Sequence, residues 1–210
     1  MEERVQWISR TADLATLAGS MEQDRLAVDT EADSLHHYPE KVCLVQLSHA
    51  GSDFLVDPLA GVDLTVLSAV LGDPSTTKIL HGADYDLRVL NRVFGLEVRG
   101  LFDTMVAARL VGETSLGLAA LLDQRFGVKL DKRFQRADWS RRPLPEEMAR
   151  YAVLDTRHLE ALADGLDEQL RGLGRREWAD EEFRRLEEVR WSEPDAEEAF
   201  HKIKGAGRLD

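Results

Sequence analysis

Residues 25–31 read RLAVDTE, an apolar run that closes on two carboxylates, Asp29 and Glu31, with one threonine between them. In an extended chain, side chains two apart leave the same face. A buried strand here therefore ends with two like charges side by side, which repulsion and lost hydration both oppose. Three arrangements relieve the conflict: an exposed strand end, an arginine beside each carboxylate, or a divalent cation between them. Mg²⁺ and Mn²⁺ both prefer oxygen ligands. Whatever this chain folds into must resolve that pair.

Residues 42–48 and 52–56 also read as strands, rich in Val, Leu or Phe and bounded by polar or Gly residues. The HAG between them is short enough for a hairpin. Residues 78–81 form a short fourth strand, and another lies near 100–102. Helical signals cover residues 64–71, 85–94, 104–110, 116–126, 146–170 and 177–189. Gly95 and Gly127 mark stops, and Pro145 opens the long helix in its first turn. The last helix is so charged that a solvated face is expected. Strands first, with helices interleaved afterwards, predict an α/β layer architecture with a mixed sheet. Residues 1–190 read as one domain and 191–210, with Pro194, Gly205 and Gly207, as a linker-like tail.

No run of about eighteen apolar residues occurs, so no membrane span and no membrane partner are expected. The first ten residues, MEERVQWISR, lack a secretory apolar region. Cys43, the only cysteine, sits in the apolar VCLVQL and reads as a buried, inert thiol. The cytoplasm is the expected location. A net charge of −12 argues mildly against a generic nucleic-acid binder, but its distribution points the other way. Residues 125–142 carry seven Lys/Arg against two Asp, whereas residues 175–200 carry ten Asp/Glu against five Arg. A basic band and an acidic tail are compatible with phosphate binding.

More acids stand at element ends. HGADYD places Asp84 and Asp86 where a strand meets a helix, and one of them reads as an N-cap. YAVLD places Tyr151 and Asp155 at i and i+4, on one helix face. Aspartate in mid-helix has poor propensity. A surface Asp155 paired with Arg157 or Arg150 is the alternative.

Taken in order, DTE, HGADYD and YAVLD resemble the three motifs of the DEDDy-type 3′–5′ exonucleases, with ribonuclease D the nearest likeness. The resemblance spans about residues 20–190 and extends to VCLVQLS, FDTMVAARLVG, LGLAALL and QRADWSRRPL. It implies a ribonuclease H-like mixed sheet flanked by helices. It also implies a metal-dependent exoribonuclease releasing nucleoside 5′-monophosphates from RNA 3′ ends. Asp29, Glu31, Asp86 and Asp155 match the ligands of two divalent ions, Mg²⁺ or Mn²⁺. The family pattern has Asp29 bridging both, Glu31 and Asp155 beside the attacking water, and Asp86 near the leaving group. Tyr151 matches the tyrosine that names the subclass; with a reference pKa of about 10 it orients the water as a neutral phenol. Leu35 would wedge against the terminal base, and the backbone at Thr30 would line the 3′-end pocket. Gly82 stands where some relatives carry Asn, which puts contacts around the second ion in question.

Several substrate contacts have two readings. His81 contacts phosphate or is a core histidine, and His36 and His37 read as loop residues. Within QRADWSRRP, Gln135, Trp139 and Arg142 are candidates: Trp139 to stack on a base, Arg142 to bind phosphate. The same segment can instead anchor itself against the third-motif helix. Trp7 reads as core. The expected partner is the single-stranded 3′ end of RNA, with single-stranded DNA as an alternative; no oligomeric state is indicated. Competing functions are nanoRNase-like degradation of very short RNAs, a DNA-directed exonuclease, and an inactive nucleic-acid-binding module. AFHKIKGAGRLD resembles the approach to a helicase-and-RNase-D C-terminal module.

Overall fold

The computed structural model describes residues 5–21, 25–34 and 40–193. Leu35, His36, His37 and the tail from Pro194 lie outside the described residues. In chain order the elements are β1 (Val5–Ile8), α1 (Thr11–Ser20), β2 (Arg25–Ala32), β3 (Val42–His49), β4 (Ser52–Val56) and α2 (Ser68–Gly72). Then come β5 (Thr77–Leu80), α3 (Asp84–Phe94), β6 (Leu101–Asp103), α4 (Thr104–Val111) and α5 (Leu118–Phe126). The last three helices are α6 (Glu146–Arg157), α7 (Leu159–Gly172) and α8 (Arg176–Glu187).

Six strands form one sheet in the order β1-β4-β3-β2-β5-β6. Only β3 runs antiparallel to its neighbours, so the sheet is mixed, as the element order predicts. β3 and β4 are joined by a two-residue turn with Ala50 at φ 48° and Gly51 at φ 73°. Positive φ at both positions matches the twist of flanking strands. β3 is buried from Val42 to Ser48, because helices cover both sides of it. The odd residues of β2 face α6, while Thr30 on the other side bonds to Asp86 of α3. The end of β2 is thus gripped from both faces.

Four expectations need correction. The helix over 146–170 is two helices, broken at His158 (φ −102°, ψ 0°). α6 lies on β3 and β4, and α7 on β2 and β5; a straight rod of that length would leave a twisted sheet. Residues 64–71 begin as a 3₁₀ turn, Leu64–Leu67, before α2. The charged helix α8 is not merely solvated: it buries Ala179 and Phe183, and the Phe183 ring lies 5.0 Å from that of Phe102. Trp7 is 42% exposed, because β1 is an edge strand paired only with β4; the Arg142 guanidinium lies 5.7 Å over its ring.

Candidate active site

Asp29 and Glu31 project from the end of β2 on the face roofed by α6, and Asp155 descends from α6 to meet them. One carboxylate oxygen from each lies within 4.8 Å of the others. Asp86 stands slightly apart at the start of α3, where its Oδ1 accepts a 2.5 Å hydrogen bond from Thr30 Oγ1. Tyr151, one turn before Asp155, is buried, its ring 5.6 Å from Phe134 and 6.1 Å from Trp139. All five line one cavity of about 620 Å³, together with Thr30, His81, Tyr85 and Gln135. The first turn of α5, from Gly117 to Ala120, lines it too.

No cationic side chain neutralises this cluster among the described residues, and its protonation reflects that. Burial pushes Asp29 well above the usual carboxylate range, with Asp86, Asp155 and Glu31 adding to the effect. Glu31 is pushed up to about 9 by burial, then by Asp155 and Asp86. Burial alone takes Asp155 to about 8. Asp86 rises only to about 6, because hydrogen bonds from Thr30 oppose its burial. Tyr151 is raised by burial and then by the carboxylates around it, so its phenol is neutral at physiological pH. The exposed alternative for Asp155 does not hold: it is buried, while Arg150 pairs with Glu146 and Arg157 with Asp53.

The third-motif helix is tied down at both ends. After Asp155, Thr156 Oγ1 meets Ser48 Oγ at 2.7 Å, Ser48 donates to Asp53 at 2.6 Å, and Arg157 Nε donates to the same carboxylate at 2.8 Å. Before α6, Arg142 holds Asp57 through two nitrogens at 2.8 and 2.7 Å and also donates to the carbonyls of Cys43 and Trp139. The Cys43 carbonyl is available because the β2–β3 register shifts there: Glu31 faces Leu44 but Ala32 faces Val42. A bulge beside a site re-aims the residues next to it. Arg142 is therefore committed to the fold and not to phosphate. Trp139 is 1% exposed and cannot stack on a base. Both serve the anchoring role that was the alternative reading of QRADWSRRP.

Other candidates separate in the same way. Gln135 is exposed and lines both the cavity and an adjoining pocket of about 220 Å³ with Ser34 and Arg136. His81 lines the cavity, but its Nδ1 is 2.9 Å from Thr104 Oγ1, and burial lowers its pKa. Cys43 is buried and its thiol is pushed up to about 12 by that burial, as an inert cysteine should be. Asp84 makes no cap; it pairs with Arg88 on the helix surface. Asp103 does the capping instead, accepting from Met105 and Val106 of α4 and from the amides of Gly82 and Ala83. Gly82 sits at φ +73°, and a Cβ there would lie 3.0 Å from Met105 Cε. An Asn side chain would require Met105 to move.

Sequence reading missed Tyr85, Asp103 and the α5 turn. Tyr85 is half-exposed beside Asp86, and its hydroxyl donates to Glu40 at 2.9 Å. Its place in HGADYD was the available signal. The α5 turn lies within LGLAALL, which carries no polar side chain to mark it.

Comparison with known proteins identifies the family and the fold. Residues 5–171 match the family model described as 3′-5′ exonuclease. The chain is 34% identical over 206 residues to ribonuclease D of Shewanella sp., covering 97% of this chain and 53% of that protein. The solved structure of Escherichia coli RNase D, an exoribonuclease involved in structured RNA processing, superposes with a TM-score of 0.84 at 33% identity. That match covers 98% of this chain and 56% of the other. Brucella melitensis NrnC with bound Mg²⁺ matches with a TM-score of 0.72 at 25% identity, covering 89% and 90%. The chain spans about half the length, or less, of the curated relatives it matches. The match over residues 5–171, on a mixed sheet that brings the acids of all three motifs to one cavity, makes the chain a member of the 3′–5′ exonuclease family that includes ribonuclease D.

Proposed function

We propose that this chain is a metal-dependent 3′–5′ exoribonuclease of the ribonuclease D type, acting on single-stranded RNA 3′ ends. The observation that carries the reading is the convergence of Asp29, Glu31 and Asp155 within 4.8 Å, with no cationic side chain among the described residues to neutralise them. An all-oxygen donor set of this charge fits Mg²⁺ or Mn²⁺. Two such ions, when bound, supply charge relief on the scissile phosphate and a nucleophilic water at neutral pH. Asp29, Glu31 and Asp155 hold that charge on the α6 side. Asp86, kept in place by Thr30, holds it on the α3 side.

Tyr151 is the positioning hydroxyl. Neutral and wedged between Phe134 and Trp139, it orients the attacking water in line with the phosphorus and removes no proton. The α5 turn lines the same cavity as the acids, and amides in a first helical turn suit a phosphate. Gln135 and Tyr85, shared by the cavity and the adjoining pocket, contact the terminal nucleotide. His81 is a neutral wall residue, its Nδ1 held by Thr104 and its Nε2 buried. Residues 1–190 constitute the catalytic unit. Likeness to the E. coli enzyme, which processes structured RNA, favours RNA over DNA. Likeness to NrnC, solved bound to pGG, keeps very short substrates in view.

The test uses the full chain with Mn²⁺ or Mg²⁺ and 5′-labelled RNA, the same sequence as DNA, a dinucleotide and a 3′-extended tRNA. Stepwise shortening of RNA with release of 5′-monophosphates is expected, abolished by chelator. Asp29→Asn should lower turnover by about 10³-fold, the scale for a lost transition-state stabiliser, with the circular dichroism spectrum kept. Wild-type turnover in that variant overturns the metal assignment. Equal rates on DNA overturn the substrate assignment.

A further inference from the structure

The sheet face that carries Asp29 also holds a polar side chain with nothing to bond. Gln46 of β3 is fully buried at 0% exposure, and neither its amide nitrogen nor its amide oxygen has a partner among the described residues. Buried amides are almost always hydrogen-bonded, and an orphaned one bears its full desolvation cost. Gln46 stands directly opposite Asp29 in the antiparallel register. Opposed side chains share a face, with Cβ atoms about 5 Å apart. Its remaining register neighbours offer nothing: Leu55 across β4 and Leu44 two residues earlier are apolar. Ser48, two residues later, is already engaged by Asp53 and Thr156. Ala152 and Val153 of α6 belong to the apolar cluster over Leu44 and Leu55. Among these neighbours, Asp29 is the polar group that lacks a counter-charge.

We propose that Gln46 is a positioning residue for Asp29. With a divalent cation bound, its amide N–H donates, directly or through one water, to an Asp29 carboxylate oxygen and fixes the direction in which the other lone pairs point. The inference rests on the reading of Asp29 as a metal ligand. Partners behind a ligand orient it, and their loss typically weakens metal binding by roughly 10–100-fold. The observed arrangement leaves the amide idle, and cation binding is the event that engages it.

The experiment is calorimetric titration of Mn²⁺ into the full chain, wild type against Gln46→Leu and Gln46→Met, beside thermal melts in chelator. Both variants should bind Mn²⁺ about 10–100-fold more weakly, while the melting temperature in chelator stays level or rises, because the orphaned amide is gone. Unchanged affinity in both variants overturns the proposal. A lower melting temperature in chelator with unchanged affinity assigns Gln46 to the fold alone and also overturns it. Absence of Mn²⁺ binding by the wild type, or full retention of it in Asp29→Asn, would bring down the metal reading itself, and the proposal with it.

Discussion

Two polar clusters lie on one face of the sheet under the same helix. In the first, Ser48, Asp53, Thr156 and Arg157 partner one another: the buried Asp53 accepts from a hydroxyl and a guanidinium. In the second, Asp29, Glu31 and Asp155 crowd together without a counter-charge among the described residues. The protein can evidently neutralise a buried carboxylate here, and does so with residues adjacent in sequence to Asp155. Leaving the second cluster uncompensated is then a property of the site, suited to a cation that arrives from outside. The first cluster holds the helix; the second uses it.

The sharpest probe of the second cluster is Tyr151→Phe. Loss of the hydroxyl should lower single-turnover cleavage by roughly 10²-fold, the low end for a positioned catalytic group, with Mn²⁺ affinity unchanged. An unaltered rate would remove Tyr151 from the mechanism and leave it a packing residue against Trp139.

Stability should respond with opposite signs in the two clusters. Asp53→Asn removes the charged acceptor of the Arg157 Nε hydrogen bond and should cost about 2 kcal/mol, the scale for hydrogen bonds to charged groups. Asp29→Asn, measured in chelator, removes a carboxylate whose ionisation burial and the neighbouring acids oppose, and should raise the melting temperature. Denaturant and thermal melts of both variants separate the two cases. If both substitutions destabilise the protein alike, the clusters do not differ in charge balance.

The pH dependence arises from the same contrast. Unfolded carboxylates release their protons near pH 4, whereas folded Asp155 and Glu31 hold theirs to about 8 and 9. The folded metal-free protein therefore binds more protons than the unfolded chain between those limits, and stability must fall as pH rises through that window. Bound Mn²⁺ replaces the protons, so its stabilising effect should grow with pH. Melts across the range from weakly acid to weakly alkaline, with chelator and with Mn²⁺, should diverge as pH rises. Parallel curves would contradict the uncompensated cluster.

The smallest effect concerns the basic band at 125–142. Arg125 is engaged by Glu113, Arg133 by Asp131 and Arg142 by Asp57, so the band is less free than its count of cations suggests. Arg136 and Arg141 stay exposed. Each, changed to Ala in an inactive background, should reduce the salt slope of log K for long RNA by roughly 0.7, with little change for a dinucleotide. Arg142→Ala should leave the slope alone and lower stability. A slope that moves only with Arg142 would reverse this assignment.

Much of this was legible in the chain. Strand composition and the order of elements were enough for a mixed α/β sheet, and the three acidic motifs pointed to Asp29, Glu31, Asp86, Tyr151 and Asp155. Local periodicity pairs Asp29 with Glu31 and Tyr151 with Asp155, because i, i+2 in a strand and i, i+4 in a helix each specify a shared face; the choice of Asp86, and the joining of the three motifs into one site, came from the family resemblance. Trp139 and Arg142 show where it stops. An aromatic and an arginine in a basic segment look the same whether they face solvent or core; the bulge at Cys43 and the position of Asp57, both distant in sequence, turned Arg142 inward, and the apolar cluster of Leu44, Leu55 and Met148 took in Trp139. The break at His158 likewise answers to the twist of a sheet whose strands lie far earlier in the chain. The sequence by itself determined which side chains share a face and so could meet at one site. The tertiary structure decided which charges are compensated, because pairing depends on the groups that the fold brings within hydrogen-bond reach, as it did for Asp53 and did not for Asp29 and Gln46.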